Sequence, residues 1–147
     1  MLRFYYAKNI DSHTLLKQVF ASEHIKDTTL IYGPNGKPYL KTGELFFNLS
    51  DSHGQLVCAV SDQEIGVDIQ KICYKPRVAR KICTPAELKT IKNAEDFTRI
   101  WVLKESFVKA NGAGLAYGLQ NVDTLALKQA EAWRYGDFYV AVCYNKT

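Results

Sequence analysis

Two acidic side chains in different local settings, and lysines beside one of them, are where this sequence carries chemistry. The stretch Trp101–Leu115 reads W-V-L-K-E-S-F-V-K-A-N-G-A-G-L. At about 100° per residue it predicts an amphipathic helix ended by Asn111-Gly112, where a left-handed cap is expected. Ile100, Leu103, Phe107 and Ala110 share the side expected to face the core. Trp101, Glu105 and Lys109 recur every fourth residue on the opposite side, with Lys104 one step round. Such a face is either an exposed ion pair worth roughly 0.2–0.5 kcal/mol or part of a binding site. The second acid, Asp68, lies in Ile65-Gly66-Val67-Asp68-Ile69-Gln70. Strand alternation sets Ile65, Val67 and Ile69 on one face and Gly66, Asp68 and Gln70 on the other. An aspartate flanked by buried β-branched residues is costly unless it is paired, hydrogen-bonded or metal-bound.

The elements that must hold these groups follow from the rest of the chain. Leu2–Ala7 reads as an aromatic-rich strand. Asp11 or Ser12 caps a helix through about Glu23, whose buried stripe is Leu15, Leu16, Val19 and Phe20. Leu30–Tyr32 reads as a strand before the turn cluster Gly33-Pro34-Asn35-Gly36-Lys37-Pro38, either a plain reverse turn or a loop offering N–H groups and Lys37 to a ligand. Leu45–Leu49 predicts a strand running into Asn48-Leu49-Ser50-Asp51-Ser52-His53-Gly54. That tract suits phosphate oxygens, or equally a polar hairpin loop. Leu56–Val60 and Ile65–Ile69 are expected to pair as a hairpin across Ser61–Glu64. Helices are predicted from Lys75 or Pro76, and from Pro85 to about Lys92 behind the cap pattern Thr84-Pro85-Ala86-Glu87. Asp123–Leu127, Ala132–Tyr135 and Phe138–Tyr144 read as strands, the last two joined at Gly136-Asp137. The run F-Y-V-A-V-C-Y from Phe138 faintly echoes L-V-C-A-V-S from Leu56.

A chain of 147 residues, 47% hydrophobic and 23% charged, predicts one globular domain with a single real core. A net charge of +4 is too mild for an obligate nucleic-acid protein. Between Lys71 and Lys92 the chain carries Lys71, Lys75, Arg77, Arg80, Lys81, Lys89 and Lys92 against Glu87 alone. This is either a set of solvated helix faces or an anion-facing patch for an acidic protein or a phosphorylated ligand. It lacks the interleaved aromatics that stack bases. Cys58, Cys73, Cys83 and Cys143 show neither CxxC nor zinc-like spacing, and Met1–Lys8 has no apolar leader core. Reduced thiols in a cytoplasmic protein are expected, with no membrane or nucleic-acid partner.

In chain order, Gly36-Lys37-Pro38, Phe47-Asn48-Leu49-Ser50, Gly66-Val67-Asp68-Ile69 and Trp101-x-x-Lys104-Glu105-Ser106-x-x-Lys109-x-x-Gly112-x-Gly114-Leu115 form a pattern that resembles the signature of the 4′-phosphopantetheinyl transferase superfamily. The pattern is most similar to the two-lobed type associated with surfactin synthetase, and it covers roughly Gly36 to Leu115. The resemblance implies an α+β fold of two pseudo-symmetric lobes of antiparallel strands and helices, with the site between them. Lobe 1 would take about residues 1–65 and lobe 2 about 66–147 of a single domain. The implied reaction is transfer of 4′-phosphopantetheine from coenzyme A to a serine of an acyl or peptidyl carrier protein, with release of 3′,5′-ADP. By position, Asp68 and Glu105 would hold Mg²⁺, with Gln70 contributing through water. Lys109 would contact the phosphates, and Glu105, directly or through a water, would take the serine proton. Lys104 would support phosphate binding, Lys37 and Pro38 would border the adenine and ribose, Ser50 and Ser52 the phosphates, and Thr14 the adenine side. The basic Lys71–Lys92 segment would suit an acidic carrier, and a monomer is expected because both motifs lie on one chain.

Three features depart from the family pattern. Asp51 stands where a phosphate-facing histidine is common, with His53 two residues on; Gln70 replaces a second acid; and the segment before Gly36 is short, with His13 and Lys17 its nearest basic groups for coenzyme A. Gln70 implies weaker Mg²⁺ binding and Asp51 repulsion of coenzyme A unless it turns away, and the two motivate an alternative, a non-catalytic relative that binds coenzyme A or a carrier protein.

Overall fold

The computed structural model describes residues 1–112 and 118–145, so the Gly114-Leu115 end of the helix motif lies outside the described residues. The chain starts with strand β1 (Leu2–Lys8), then helix α1 (Ser12–Ser22), the small hairpin β2 (Leu30–Tyr32) and β3 (Pro38–Leu40), and the hairpin β4 (Phe46–Ser52) and β5 (Gln55–Ser61). It continues with β6 (Ile65–Lys71), helices α2 (Pro76–Ile82), α3 (Pro85–Leu88) and α4 (Ala94–Asn111), and the hairpin β7 (Ala130–Tyr135) and β8 (Phe138–Tyr144). Two three-stranded antiparallel sheets result, ordered β1-β5-β4 and β6-β8-β7, beside the two-stranded β2-β3. In both large sheets the third strand in sequence is central, and in both the first strand is followed by a helix. The echo between Leu56–Ser61 and Phe138–Tyr144 therefore falls on equivalent central strands, β5 and β8.

Alternation explains the layering. On β5, Leu56, Cys58 and Val60 pack with α1 residues Leu15, Leu16, Val19 and Phe20. The intervening Val57 and Ala59 turn to the other face and meet Ile65, Val67 and Ile69 of β6 and Val140 and Val142 of β8. Beyond the second sheet, Ala141 packs against Val102 and Leu103 of α4. The order of layers is thus α1, first sheet, second sheet, α4. A strand covered on both faces reads as continuously apolar, and every residue of β5 is buried. Phe4 against Trp133 (centroids 5.0 Å apart) and Tyr6 stacked on Tyr135 (4.1 Å) close the sandwich along β1 and β7.

Several expectations are corrected. β5 does not pair with β6, because both of its edges are taken by β1 and β4; Ser61–Glu64 instead carries the chain to the next sheet. The polar tract after Leu49 is strand as far as Ser52, turned by His53 (φ 49°) and Gly54 (φ 80°), the positive-φ pair that a two-residue hairpin requires. Helix α3 stops at Leu88 rather than near Lys92. Thr90 Oγ1 bonds back to Glu87 O at 2.7 Å, and Asn93 already caps α4 through Asp96 N at 2.9 Å. Asp123–Leu127 is a turn, with Leu125 N donating to Asp123 Oδ1 at 3.1 Å. Among the described residues no helix is long and apolar enough to cross a membrane, and all four cysteines are unbridged.

Candidate active site

Helix α4 is the bar on which the site is mounted. Asn93 caps its start, Glu95 and Asp96 complement the N-terminal dipole, and Gly112 at φ 63° ends it with amide bonds to Val108 and Lys109 carbonyls. The strand that crosses it, β6, is brought into backbone contact by one missing side chain. A Cβ on Gly66 would lie 2.2 Å from Ser106 O and 2.3 Å from Ala110 N. Two residues along the same strand face, Asp68 therefore meets the turn of α4 that carries Glu105 and Lys109. The extended motif and the helical motif are joined by that glycine.

Asp68 is 5% exposed, yet its surroundings are polar. Its Oδ1 accepts from Ser50 Oγ at 3.0 Å and its Oδ2 from Gln70 Nε2 at 3.2 Å. Burial pushes its carboxyl up to about 7, the Lys109 ammonium opposing and the Glu105 charge adding. Burial likewise lowers Lys109, against the attraction of Asp68, Glu105 and Asp51. Lys109 Nζ donates to Leu49 O at 2.6 Å, which leaves two of its three donors without a described partner. Glu105 Oε1 accepts from Trp101 Nε1 at 3.3 Å, and the Lys75 ammonium sits 5.2 Å from the Trp101 ring. Trp101, Glu105 and Lys109 thus form one row, as their spacing predicts.

Lys109 also belongs to a cleft of about 280 Å³ lined by Asn35, Gly36, Lys37, Pro38, Asn48, Leu49, Val108 and Gly112. Lys37 and Pro38 line it, but the Lys37 ammonium points away into the fold. Its three donors reach Glu64 Oε2 (3.3 Å), Ile65 O (2.8 Å) and Ala110 O (3.3 Å). With Asn35 Nδ2 on Gly112 O at 2.6 Å, the Gly33–Pro38 loop caps the open carbonyls of α4. Glu64 is pushed up by burial, but bonds from Tyr39, Asn145 and Lys37 outweigh this and hold it below its ordinary value.

The remaining expected site residues fall elsewhere. Lys104 is corrected outright: it is 0% exposed, with Nζ 2.8 Å from Glu87 Oε1, 3.2 Å from Leu119 O and 2.5 Å from Val122 O. All three of its donors are occupied in the interior, so it makes no phosphate contact. Ser50 and Ser52 face the second sheet, where they accept from Ile69 N (3.2 Å) and Lys71 N (3.1 Å). Thr14 lies in the first turn of α1, its amide donating to Asp11 Oδ1 at 2.7 Å, and it is absent from the cleft lining. Asn48 and Asn35 both line the cleft; the sequence sets Asn48 in the Phe47–Ser50 motif and Asn35 in the Gly33–Pro38 turn without giving either a role of its own. Alternation is a further signal for Asn48, which shares its strand face with Ser50 and Ser52.

Asp68, Glu105 and Gln70 offer only hard oxygen donors, a set that suits Mg²⁺, which keeps several waters and takes one or two carboxylates. No cluster of three or more His, Cys, Asp or Glu side chains forms among the described residues, so an all-protein metal cage is not what these residues build. A cleft-lining ammonium under the influence of two acids is suited to a phosphorylated ligand held through a divalent ion.

Residues 64–143 match the family model described as the 4′-phosphopantetheinyl transferase superfamily. The chain is 34% identical over 96 residues to a 4′-phosphopantetheinyl transferase of Bacillus subtilis, covering 58% of this chain and 42% of that protein. It is 34% identical over 97 residues to one from Bacillus pumilus, covering 59% of this chain and 41% of that protein. It is 29% identical over 140 residues to the 4′-phosphopantetheinyl transferase Sfp of Bacillus subtilis strain 168, covering 81% and 60%. The chain thus spans between 41% and 60% of the length of these relatives. The matched region holds β6 and α4 with both acids and the lysine, and on that ground the chain belongs to the 4′-phosphopantetheinyl transferase superfamily.

Proposed function

We propose that this chain, as a single two-lobed domain, transfers 4′-phosphopantetheine from coenzyme A to a serine hydroxyl of an acidic acyl or peptidyl carrier protein. The observation that carries the reading is that Asp68 and Glu105 both act electrostatically on Lys109, which itself lines the cleft. Asp68 and Glu105 would hold Mg²⁺, with Gln70 acting through water, and the ion would offset the pyrophosphate charge. Lys109 donates to phosphate oxygens and stabilises the charge on departing 3′,5′-ADP. Glu105, directly or through a water, takes the proton of the serine hydroxyl. That oxygen forms the new bond to phosphorus as the bridging P–O bond to 3′,5′-ADP breaks. The protein's work is alignment and neutralisation rather than covalent catalysis.

The partner reading is supported by α2, which carries exposed Arg77, Arg80 and Lys81 and no acid. Lys75 precedes that helix and reaches the Trp101 ring, which bonds Glu105. An acidic carrier helix laid along α2 would bring its serine towards that end of the row. Incubation of the protein with coenzyme A, Mg²⁺ and several apo-carriers, followed by mass spectrometry of the carriers, tests the proposal. Gain of one phosphopantetheine mass is expected. No gain with any carrier, alongside retained coenzyme A binding, would replace transfer with a binding role only.

A further inference from the structure

The two sheets meet along a seam that is not a strand pairing. β4 is the edge of the first sheet and β6 the edge of the second, so both have unpaired backbone groups on the facing side. Every second residue of β4 offers a side-chain acceptor to every second amide of β6. Asn48 Oδ1 takes Val67 N (2.9 Å), Ser50 Oγ takes Ile69 N (3.2 Å) and Ser52 Oγ takes Lys71 N (3.1 Å). The ladder, buried at Val67 and exposed by Lys71, satisfies donors that would otherwise be left open by the change of sheet. Ser52 Oγ also lies 3.1 Å from His53 Nδ1, but it is the Ser50 rung that reaches the acid. Ser50 Oγ, besides accepting from Ile69, donates its hydroxyl proton to Asp68 Oδ1 at 3.0 Å.

We infer that Ser50 is a positioning residue for Asp68, transmitting the register of the seam to the carboxylate that holds the divalent ion. The inference rests on the Mg²⁺ reading above and assigns Ser50 a task other than the phosphate contact that the family resemblance implies. A hydroxyl has one proton, and a phosphate oxygen needs a donor. With that proton on Asp68 and a lone pair on Ile69 N–H, Ser50 has nothing to give a phosphate without releasing the acid. Gln70 Nε2 holds the other oxygen of Asp68 at 3.2 Å, so each oxygen is turned by one neighbour and keeps lone pairs for a cation. Outer hydrogen bonds of this kind set the orientation of a ligating carboxylate, and their loss costs about 10–100-fold in metal affinity.

Mg²⁺ titration by calorimetry, with coenzyme A present and without carrier, tests this in the whole chain without reliance on turnover. Ser50→Ala is expected to weaken Mg²⁺ binding about tenfold or more while leaving coenzyme A affinity in excess Mg²⁺ nearly unchanged. Ser50→Thr, which keeps a hydroxyl on the strand, should restore it. Ser52→Ala removes an equivalent amide partner without touching Asp68, and should keep the wild-type Mg²⁺ affinity even where it lowers the melting temperature as much. Weakened coenzyme A binding with an unaltered Mg²⁺ affinity in Ser50→Ala would overturn the inference in favour of a phosphate contact. Equal loss of Mg²⁺ affinity in the Ser50 and Ser52 alanine variants would overturn it in favour of seam integrity. A wild-type chain that binds no Mg²⁺ would remove the parent reading and this inference together.

Discussion

Asp68 is a group whose ionisation the fold resists, because burial outweighs the attraction of the Lys109 ammonium. Its carboxyl is pushed from 3.8 up to about 7, by burial first, with Glu105 adding and Lys109 opposing. Between those values the folded chain holds a proton that the unfolded chain has released. Stability therefore falls as pH rises through that window, and the loss is complete above about 7. The net shift, with the attraction to Lys109 already included, corresponds to ~4 kcal/mol. Asparagine mimics the neutral acid. Asp68→Asn is expected to stabilise the metal-free protein by about 1–2 kcal/mol at pH 8 and hardly at all near pH 4, as read from urea melts. A variant less stable than wild type at pH 8 would mean that the Lys109 pairing outweighs burial. Gln70, bonded to Asp68 Oδ2, belongs to the same small system. Gln70→Glu is expected to lower the Mg²⁺ needed for half-maximal transfer, and an unchanged requirement would place Gln70 away from the ion.

At the scale of elements, the crossing of β6 over α4 depends on Gly66. Because a Cβ there would collide with backbone atoms at 2.2 and 2.3 Å, no side-chain adjustment relieves it. Gly66→Ala should cost about 2–3 kcal/mol or more, in the range of overpacking within a core, and should abolish transfer by parting Asp68 from Glu105. Wild-type melting temperature and activity in that variant would contradict the crossing. A second internal tie, Glu87 with Lys104, holds α3, α4 and the turn at Thr124 together. Both side chains are fully buried, and Glu87 also accepts from Thr84 N (2.8 Å), Thr124 N (2.9 Å) and the Thr124 hydroxyl. Burial raises the Glu87 carboxyl, but these bonds prevail and hold it below its ordinary 4.5. Its contribution is therefore full above about pH 4.5 and lost as pH falls below that. Glu87→Ala should destabilise by about 3–5 kcal/mol, since it strands a buried ammonium, and Glu87→Leu with Lys104→Met together should lose much less. Equal losses for single and double variants in denaturant melts would show that the pair itself is what stabilises. This tie also explains why sequence misplaced Lys104. Helical spacing gives the angle of a side chain but not what lies behind it, and the capping box at Thr84–Glu87 looks complete without a lysine from elsewhere.

Across the whole molecule, the chain reads as one topology used twice, a strand followed by a helix and then a hairpin that returns beside the strand. Local features of this plan were visible in sequence: the buried stripe of α1, the faces of β6, the stop at Gly112, and the row Trp101-Glu105-Lys109. Features that depend on how the two sheets meet were not. Ser50 and Ser52 carry hydroxyls that look ready for a ligand, and only the edge-to-edge approach of β4 and β6 shows them answering backbone amides. Lys37 looks like a cation for a ligand, and only the approach of its loop to the end of α4 shows it holding carbonyls. Lys109 is the lysine of the α4 motif that lines the cleft, with one described hydrogen bond, to Leu49 O. On the proposed reading, the reaction falls to three side chains from two elements. The most direct test is the single-turnover rate of transfer from coenzyme A to apo-carrier at saturating Mg²⁺, for wild type, Asp68→Ala and Glu105→Ala, each first shown by circular dichroism to be folded. Transfer by wild type and a fall of about a hundredfold or more in each variant is the predicted result, and a folded variant of either kind that transfers at the wild-type rate would contradict it.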